Sequence, residues 1–345
     1  MPLPPPETLP EIDQSVQDAA PLPIGERLVR NQCISSAQLA EALATQSDRG
    51  NKESLIGKRL IELGYISHPA LLTCLFHQLT RERVAYQLDY QERPPQTIIR
   101  FENVDKSLDG RQVLDRLNLE IPANKITAII GISGGGKSVT LKHMVGLMKP
   151  DRGEIWVGDR PLGRLSGRQL NRVRHRFSML FQEGALFDSM NVTDNVAFPL
   201  RETTRLSEAE ILHRVEAALQ EVNLGGMGHK YPDELSGGMK KRAALARALV
   251  TQPEIILLDE PTAGLDPIIE NAIHYLICDT FMRTRYTIVL ISHAVPAIFD
   301  WCHHVVVLHR GRVLASGPSL EIRHSADPTI KQFIRGDLDG PIQVI

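Results

Sequence analysis

Short, uninterrupted apolar runs recur through the middle and end of the chain, each followed by glycine or by charge. Ile126–Ile130, Ile255–Leu258 and Ile288–Ile291 are only four or five residues long. They are too short for helices and rich in β-branched residues, so they predict buried strands, the first in a parallel sheet. Two other stretches, Ile98–Val104 and Val113–Ile121, alternate apolar with polar positions and predict a pair of antiparallel strands, with Glu154–Gly158 as another strand of the same sheet. Beyond Ser138 the apolar positions Leu141, Met144, Val145 and Leu147 have helical spacing, and an alanine-rich helix is expected from Ser236 to about Val250.

The N-terminal third has a different pattern. Residues 1–23 contain seven prolines and predict an extended arm. Residues 24–79 repeat themselves at an offset of 32: Gly25 with Gly57, Leu28 with Leu60, Ile34 with Ile66, Leu39 with Leu71, Leu43 with Leu75, and Gln46 with Gln78. Each unit reads as a short helix, a turn and a second amphipathic helix capped by Ser35 or Ser67. A polar stretch ending in Pro94-Pro95 then reads as a linker.

Composition narrows the function classes. The 345 residues carry a net charge of −2, with a pI near 6.6, so no basic field points to nucleic acid. No apolar run approaches the length of a membrane span, and the N-terminus lacks the basic start and apolar core of a secretory signal. Cys33, Cys74, Cys278 and Cys302 are scattered without metal-binding spacing, as suits a reducing cytoplasm.

The candidate chemistry starts where the first apolar run ends. Gly131, Ile132, Ser133, Gly134, Gly135, Gly136, Lys137 and Ser138 spell G-x-x-x-x-G-K-S between an expected strand and an expected helix, and Val139 follows. Glycines let backbone N–H groups converge on an anion, and the helix start adds its free N–H groups and dipole. Lys137 can reach the β- and γ-phosphates, and the Ser138 hydroxyl can ligate Mg²⁺. At the end of the second run, Asp259 is placed to hold Mg²⁺ and Glu260 to polarise an attacking water. Ser236, Gly237 and Gly238 open the alanine-rich helix and form a second anion site. One nucleotide rarely needs two phosphate cradles. The economical arrangement is therefore a head-to-tail homodimer in which each Ser236 covers ATP held by the other subunit's Lys137.

Phosphate loop, Gln182, Leu235-Ser-Gly-Gly238, Asp259-Glu260, Leu265-Asp266 and Ser292-His293 occur in the order that resembles an ABC-type ATPase over about residues 98–320. The resemblance implies an α/β P-loop core with antiparallel β and helical subdomains. It implies that Gln182 senses Mg²⁺ and water, that Ser236, Gly237 and Gly238 contact the trans γ-phosphate, that Asp266 bridges the dimer and that His293 is a γ-phosphate switch. Three positions depart from the common pattern: Met239 in place of glutamine, Ala294 in place of aspartate, and Leu108 near the usual adenine-stacking aromatic.

The stretch Met179–Leu200, with its G-A-L-F-D-S-M and D-N-V-A-F-P-L-R, looks like the ATPases of Mla/Mce-type lipid transporters. So do Glu234–Arg247, where Met239 is usual, and Gln332–Gly336 with Asp339-Gly340-Pro341. That resemblance implies a homodimer on the inner face of the cell membrane, under a permease of the MlaE type, with an MCE-domain lipid-binding protein beyond it and a small regulatory subunit. Residues 24–79 resemble the N-terminal domain of type II secretion and pilus assembly ATPases (MshEN-like). Some members of that group bind a cyclic dinucleotide, although the usual arginines of the motif are missing here. The expected organisation is an arm over 1–23, a small all-α two-repeat domain over 24–82, a linker over 83–97, an ABC ATPase domain over 98–325 and a tail over 326–345. A soluble ABC-type regulator or scaffold is the alternative reading.

Overall fold

The computed structural model describes residues 24–30, 33–44, 56, 59–61, 63–66, 79–80, 82–90, 92, 95–182 and 184–342. The chain divides into two compact units, Met1–Cys74 and Leu75–Ile345.

In the first unit, α1 (Ile24–Arg30) and α2 (Ser36–Ala44) belong to the first half of the repeat. The halves match at the level of the backbone. The Cys33 N–H donates to the Leu28 carbonyl at 2.8 Å, and 32 positions on the Tyr65 N–H donates to the Leu60 carbonyl at 2.9 Å. Leu28 and Leu60 are both fully buried, as are Ile34 and Ile66 nearly so. Ser35 caps α2 reciprocally: the Gln38 N–H donates to its Oγ, and its own N–H donates to Gln38 Oε1. The Tyr65 hydroxyl donates to Glu41 Oε2 at 2.6 Å and so ties the halves together. The arm over 1–23, the second expected cap Ser67, and Gly57, Leu71, Leu75, Gln46 and Gln78 lie outside the described residues.

The second unit opens with a helix, α3 (82–90). This corrects the expectation of a linker over 83–97. The stretch is polar, but its polar groups are consumed by the fold. Glu82 accepts two hydrogen bonds from Arg285, at 2.6 and 3.0 Å, and Arg83 and Tyr86 are buried.

Two sheets follow. β1 (Thr97–Leu108) and β2 (Arg111–Pro122) form a hairpin around Asp109-Gly110, whose φ values of 48° and 75° are those of a tight turn with both central residues left-handed. With β4 (Arg152–Val157) and β5 (Arg160–Pro161) they make a four-stranded antiparallel sheet in the order β2-β1-β4-β5. The central sheet has six strands in the order β10-β9-β3-β8-β7-β6. Its members are β3 (Ile126–Ile130), β6 (Phe177–Leu180), β7 (Ile255–Asp259), β8 (Thr287–Ile291), β9 (His304–His309) and β10 (Arg312–Pro318), with only β10 antiparallel to its neighbour.

The apolar runs are continuous because the central sheet is covered on both faces. Ile126, Ala128, Ile130, Ile256, Leu258, Ile288 and Leu290 face one core, with the helices α6 (Val192–Thr203), α7 (Glu208–Glu221), α8 (Gly237–Leu249) and α9 (Pro267–Thr284). The alternate residues Ile129, Ile255, Leu257, Val289 and Ile291 face a second core. The antiparallel sheet and α4 (Lys137–Met144) fill that side, and α5 (Gly167–Arg174) contributes Val173 to it. Helix α4 ends sooner than the spacing predicts: Gly146 at φ 67° turns the chain out and leaves Leu147 exposed. After β10 come α10 (Ser319–Arg323) and α11 (Pro328–Arg335). The segment expected as a tail is pinned down: the buried Gln332 amide exchanges hydrogen bonds with the backbone of Ile342.

Candidate functional site

The phosphate loop, Gln182, Asp259, Glu260 and His293 sit at the C-terminal ends of parallel strands, where open α/β sheets place ligands. The loop from Gly131 to Gly136 leaves β3 and enters α4, with Gly136 as the helix N-cap. Gly131 has φ 153°, and a Cβ there would lie 2.1 Å from the Leu308 carbonyl oxygen on the neighbouring strand. Only glycine fits so close a backbone approach.

Lys137 is buried, and its ammonium donates to the carbonyls of Gly131 at 2.8 Å and Ile132 at 3.0 Å. Burial lowers its pKa, while the Glu260 and Asp259 carboxylates oppose that and favour the cation. The Ser138 hydroxyl donates to Asp259 Oδ1 at 3.2 Å. Burial pushes the Asp259 pKa up, the Ser138 hydrogen bond pulls it down, and nearby Glu260 adds to the rise. A cation beside these two groups would relieve the desolvation. The Ser138 hydroxyl and the Asp259 carboxylate are hard-oxygen donors of the kind Mg²⁺ prefers.

Glu260 is the junction of the site. Its Oε2 accepts from Gln182 Nε2 at 3.0 Å, and its Oε1 lies 2.9 Å from His293 Nε2. Gln182 follows β6, Glu260 follows β7 and His293 follows β8, so three adjacent strand ends supply the three groups. Glu260 itself has φ 50°, a left-handed conformation that costs a non-glycine residue about 1 kcal/mol. Its N–H donates to the Ile291 carbonyl at 3.2 Å, which holds the turn and aims the carboxylate back across the sheet.

Ser236, Gly237, Gly238 and Asp266 form a second group. Ser236 caps α8 by accepting from the Met239 N–H, and Asp266 caps α9 by accepting from the N–H groups of Ile268 and Ile269. Ser236 and Gly237 are exposed, while a Cβ on Gly238 would meet Ile269 Cγ2 at 2.5 Å, so Gly238 lets the two helix starts pack together. The described hydrogen bonds of Ser236 and Asp266 stay within their own caps, and none reaches the phosphate loop of the same chain.

Sequence reasoning missed the residues that hold the stretch after Gln182. Lys241 on α8 donates to the Gln182 carbonyl. Arg247, six residues further on, donates to the carbonyls of Gly184 and Ala185 at 2.8 Å each and stacks over the Phe187 ring. Asn195 is fully buried and bonds to the backbone of Phe187, Met190 and Asn191. Val192, Val196 and Leu200 of the same stretch are core, whereas Phe181 and Phe187 are exposed. Lys241 and Arg247 lie six residues apart on a helix whose other inward positions are glycine, alanine and leucine, which is the signal that could have singled them out.

A strand, glycine loop and helix around a buried lysine, with paired acids at the end of β7, define a nucleoside-triphosphate-hydrolysing site. Residues 114–263 match the ABC transporter family model. A probable ribonucleotide transport ATP-binding protein, mkl, of Mycobacterium leprae is 41% identical over 249 residues, 72% of each chain. The intermembrane phospholipid transport system ATP-binding protein MlaF of Escherichia coli is 40% identical over 252 residues, 73% of this chain and 93% of that protein. Among solved structures, cbiO1 of Clostridium perfringens, part of the ABC transporter complex cbiONQ, superposes with a TM-score of 0.61 at 32% identity, covering 66% of this chain and 90% of that one. The dimeric, post-hydrolysis ATP-binding cassette MJ0796 bound to ADP and Pi superposes at 0.59 with 28% identity, covering 64% and 98%. The chain belongs to the ABC transporter family. It is an ATP-binding, ATP-hydrolysing subunit of a transporter of that class.

Proposed function

We propose that this subunit powers the movement of phospholipid, or a related lipid, through a membrane permease. The cargo assignment draws on the phospholipid-transport relative, which this chain matches over nearly its whole length. The subunit works as a homodimer, peripheral on the inner face of the membrane, and the exposed Phe181 and Phe187 beside Gln182 offer an apolar surface for a permease.

Gly131 to Val139 cradle the phosphates of ATP, and Lys137 leaves its loop carbonyls for the β- and γ-phosphates. Ser138, Asp259 and Gln182 would hold Mg²⁺, which would neutralise phosphate charge. Glu260 takes the proton of the attacking water, and His293 and Gln182 fix its two carboxylate oxygens so that it faces the γ-phosphate. Ser236, Gly237, Gly238 and Asp266 of one protomer complete the site built on the other's phosphate loop. The observation that carries this reading is the double hold on Glu260, by Gln182 at 3.0 Å and His293 at 2.9 Å.

The repeat unit serves docking or regulation, with a small regulatory subunit or a cyclic dinucleotide as its candidate ligand. Titration of the full chain with cyclic dinucleotides tests the second of these. The transporter reading is tested by affinity purification from native membranes in mild detergent, with mass spectrometry of bound proteins and lipids. A permease, an MCE-domain protein and phospholipid are expected; a dimer free of membrane proteins contradicts it.

A further inference from the structure

We propose that Arg83 on α3 is a positioning residue for His293, acting through the segment that carries the chain from the end of β8 back to the start of β9. This rests on the assignment of His293 to the hydrolytic site. Helix α3 sits against the entry ends of strands whose exit ends form that site. Tyr86 Oη lies 3.0 Å from Nδ1 of His304, the first residue of β9, and Glu82 holds Arg285 just before β8.

Arg83 reaches furthest in. The residue is 3% exposed, and its guanidinium donates to Ser319 Oγ at 3.2 Å and to the Asp300 carbonyl at 2.5 Å. A buried cation satisfied by a backbone carbonyl fixes that carbonyl in turn, because neither group has water to fall back on. From Asp300 a short ladder leads straight to the site. Residues Ala297–Asp300 form one tight helical turn. The Phe299 N–H donates to Pro296, the Ile298 N–H to Ala294 at 2.9 Å and the Val295 N–H to His293 itself at 2.8 Å. The Ala294 N–H donates to Ser292 Oγ, which closes the ladder on the other side of the histidine. His293 is half exposed at its own end, so its aim at Glu260 depends on the rigidity of this backbone rather than on packing around the ring. No described hydrogen bond joins residues 293–300 to the phosphate loop, so Arg83 should bear on the chemical step and not on ATP binding. Helix α3 also lies on the stretch of chain that directly follows the repeat unit in sequence.

The test uses the full-length protein with Arg83→Met, which keeps bulk and removes the donors, and Arg83→Lys, which restores one donor and the charge. Arg83→Met should lower kcat roughly tenfold with KM for ATP unchanged, a loss of the size a small misplacement of a reacting group produces. The imidazole Cε1–H resonance of His293, identified by its disappearance in His293→Ala, should shift in Arg83→Met and return toward its wild-type position in Arg83→Lys, with kcat recovering in step. An unmoved His293 resonance overturns the proposal, as does unchanged kcat beside lowered thermal stability. If Arg83→Met does not fold, Arg83→Gln, which is too short to reach both acceptors, is compared with wild type by the same two readouts, and an unmoved resonance there overturns the proposal too. Wild-type turnover in His293→Ala removes His293 from the hydrolytic site, an outcome distinct from failure of the link from Arg83, which the resonance reports by itself.

Discussion

Glu260 Oε1 and His293 Nε2 lie 2.9 Å apart although 33 positions separate them in the chain. The strands that run into these residues, β7 and β8, are hydrogen-bonded neighbours, with Asp259 opposite Ile291. The parallel register therefore delivers the two groups to the same edge, and the left-handed turn at Glu260 brings its carboxylate across to the imidazole. We propose that hydrolysis is built on this pair.

Glu260→Gln keeps the shape and the hydrogen bond from Gln182 but cannot take a proton. Steady-state ATP turnover should fall by at least roughly 10²-fold, the usual worth of a positioned general base, while ATP binding persists. Size-exclusion chromatography with ATP should then show an accumulated dimer. Unaltered turnover would remove Glu260 from the role of base.

Gly131→Ala should abolish function through geometry alone. The new methyl group would stand 2.1 Å from a carbonyl oxygen of β9, which cannot yield because that strand is hydrogen-bonded to β3 and β10. Loss of about 2 kcal/mol of stability and a more than tenfold weakening of ATP binding are expected, from strain and a displaced loop. Calorimetric titration and chemical denaturation check both.

Completion of the site in trans makes a prediction about mixtures. Homodimers of Lys137→Ala and of Ser236→Arg should each be inactive. Co-expressed, they should recover roughly a quarter of wild-type turnover, because half of the dimers are mixed and each of these carries one intact site. If Ser236 instead served its own chain's Lys137, both sites of a mixed dimer would be damaged and no activity would return.

Stability should fall with acidification over a defined window. Burial pushes the pKa of His274, His303 and His304 down to about 4 from an ordinary value of 6.5. A depressed histidine pKa means that the unfolded chain binds protons first as the pH drops below 6.5. Folding therefore loses free energy between pH 6.5 and 4, at up to about 1 kcal/mol per histidine per pH unit. Glu82 works the same way at lower pH. Burial opposes its ionisation, yet the nearby His303 ring and the hydrogen bonds from Arg285 bring its pKa down to about 2, so its contribution fades between pH 4.5 and 2. Urea midpoints measured from pH 7.5 to 4.5 check the histidine window, and a flat profile would show that these rings are accessible to protons in the folded state.

The parts of the site that were legible in the sequence are those whose residues lie side by side. The phosphate loop, the acids after Leu258 and the serine at the start of α8 carry their function within five to eight consecutive residues, so a local reading reaches them. The pairing of Gln182, Glu260 and His293 depends on strand order, which resemblance to a family supplied and periodicity alone did not. β6 went unseen because Phe177–Leu180 is four residues long and only half buried on its middle positions.

Helix α3 was hidden for a different reason. Its Glu82 and Arg83 read as solvated charge, and their partners Arg285, Asp300 and Ser319 lie some two hundred residues away. A fainter signal was present: Leu79, Arg83, Tyr86 and Tyr90 recur at three- and four-residue steps, the stripe of a helix with one buried face. The arginine in that stripe masked it. The Lys241 and Arg247 contacts to the Gln182 loop were equally out of reach, since a cation on a helix is most often solvated and only the fold shows which carbonyls it meets.

The claim that ATP hydrolysis at Glu260 moves lipid is tested most directly in vesicles reconstituted with the complex purified on this subunit. The readout is transfer of a fluorescent phospholipid with and without ATP, for the wild type and for Glu260→Gln. Transfer that requires ATP and disappears with Glu260→Gln is the predicted result. Wild-type ATP hydrolysis in those vesicles with no ATP-dependent movement of phospholipid would contradict it.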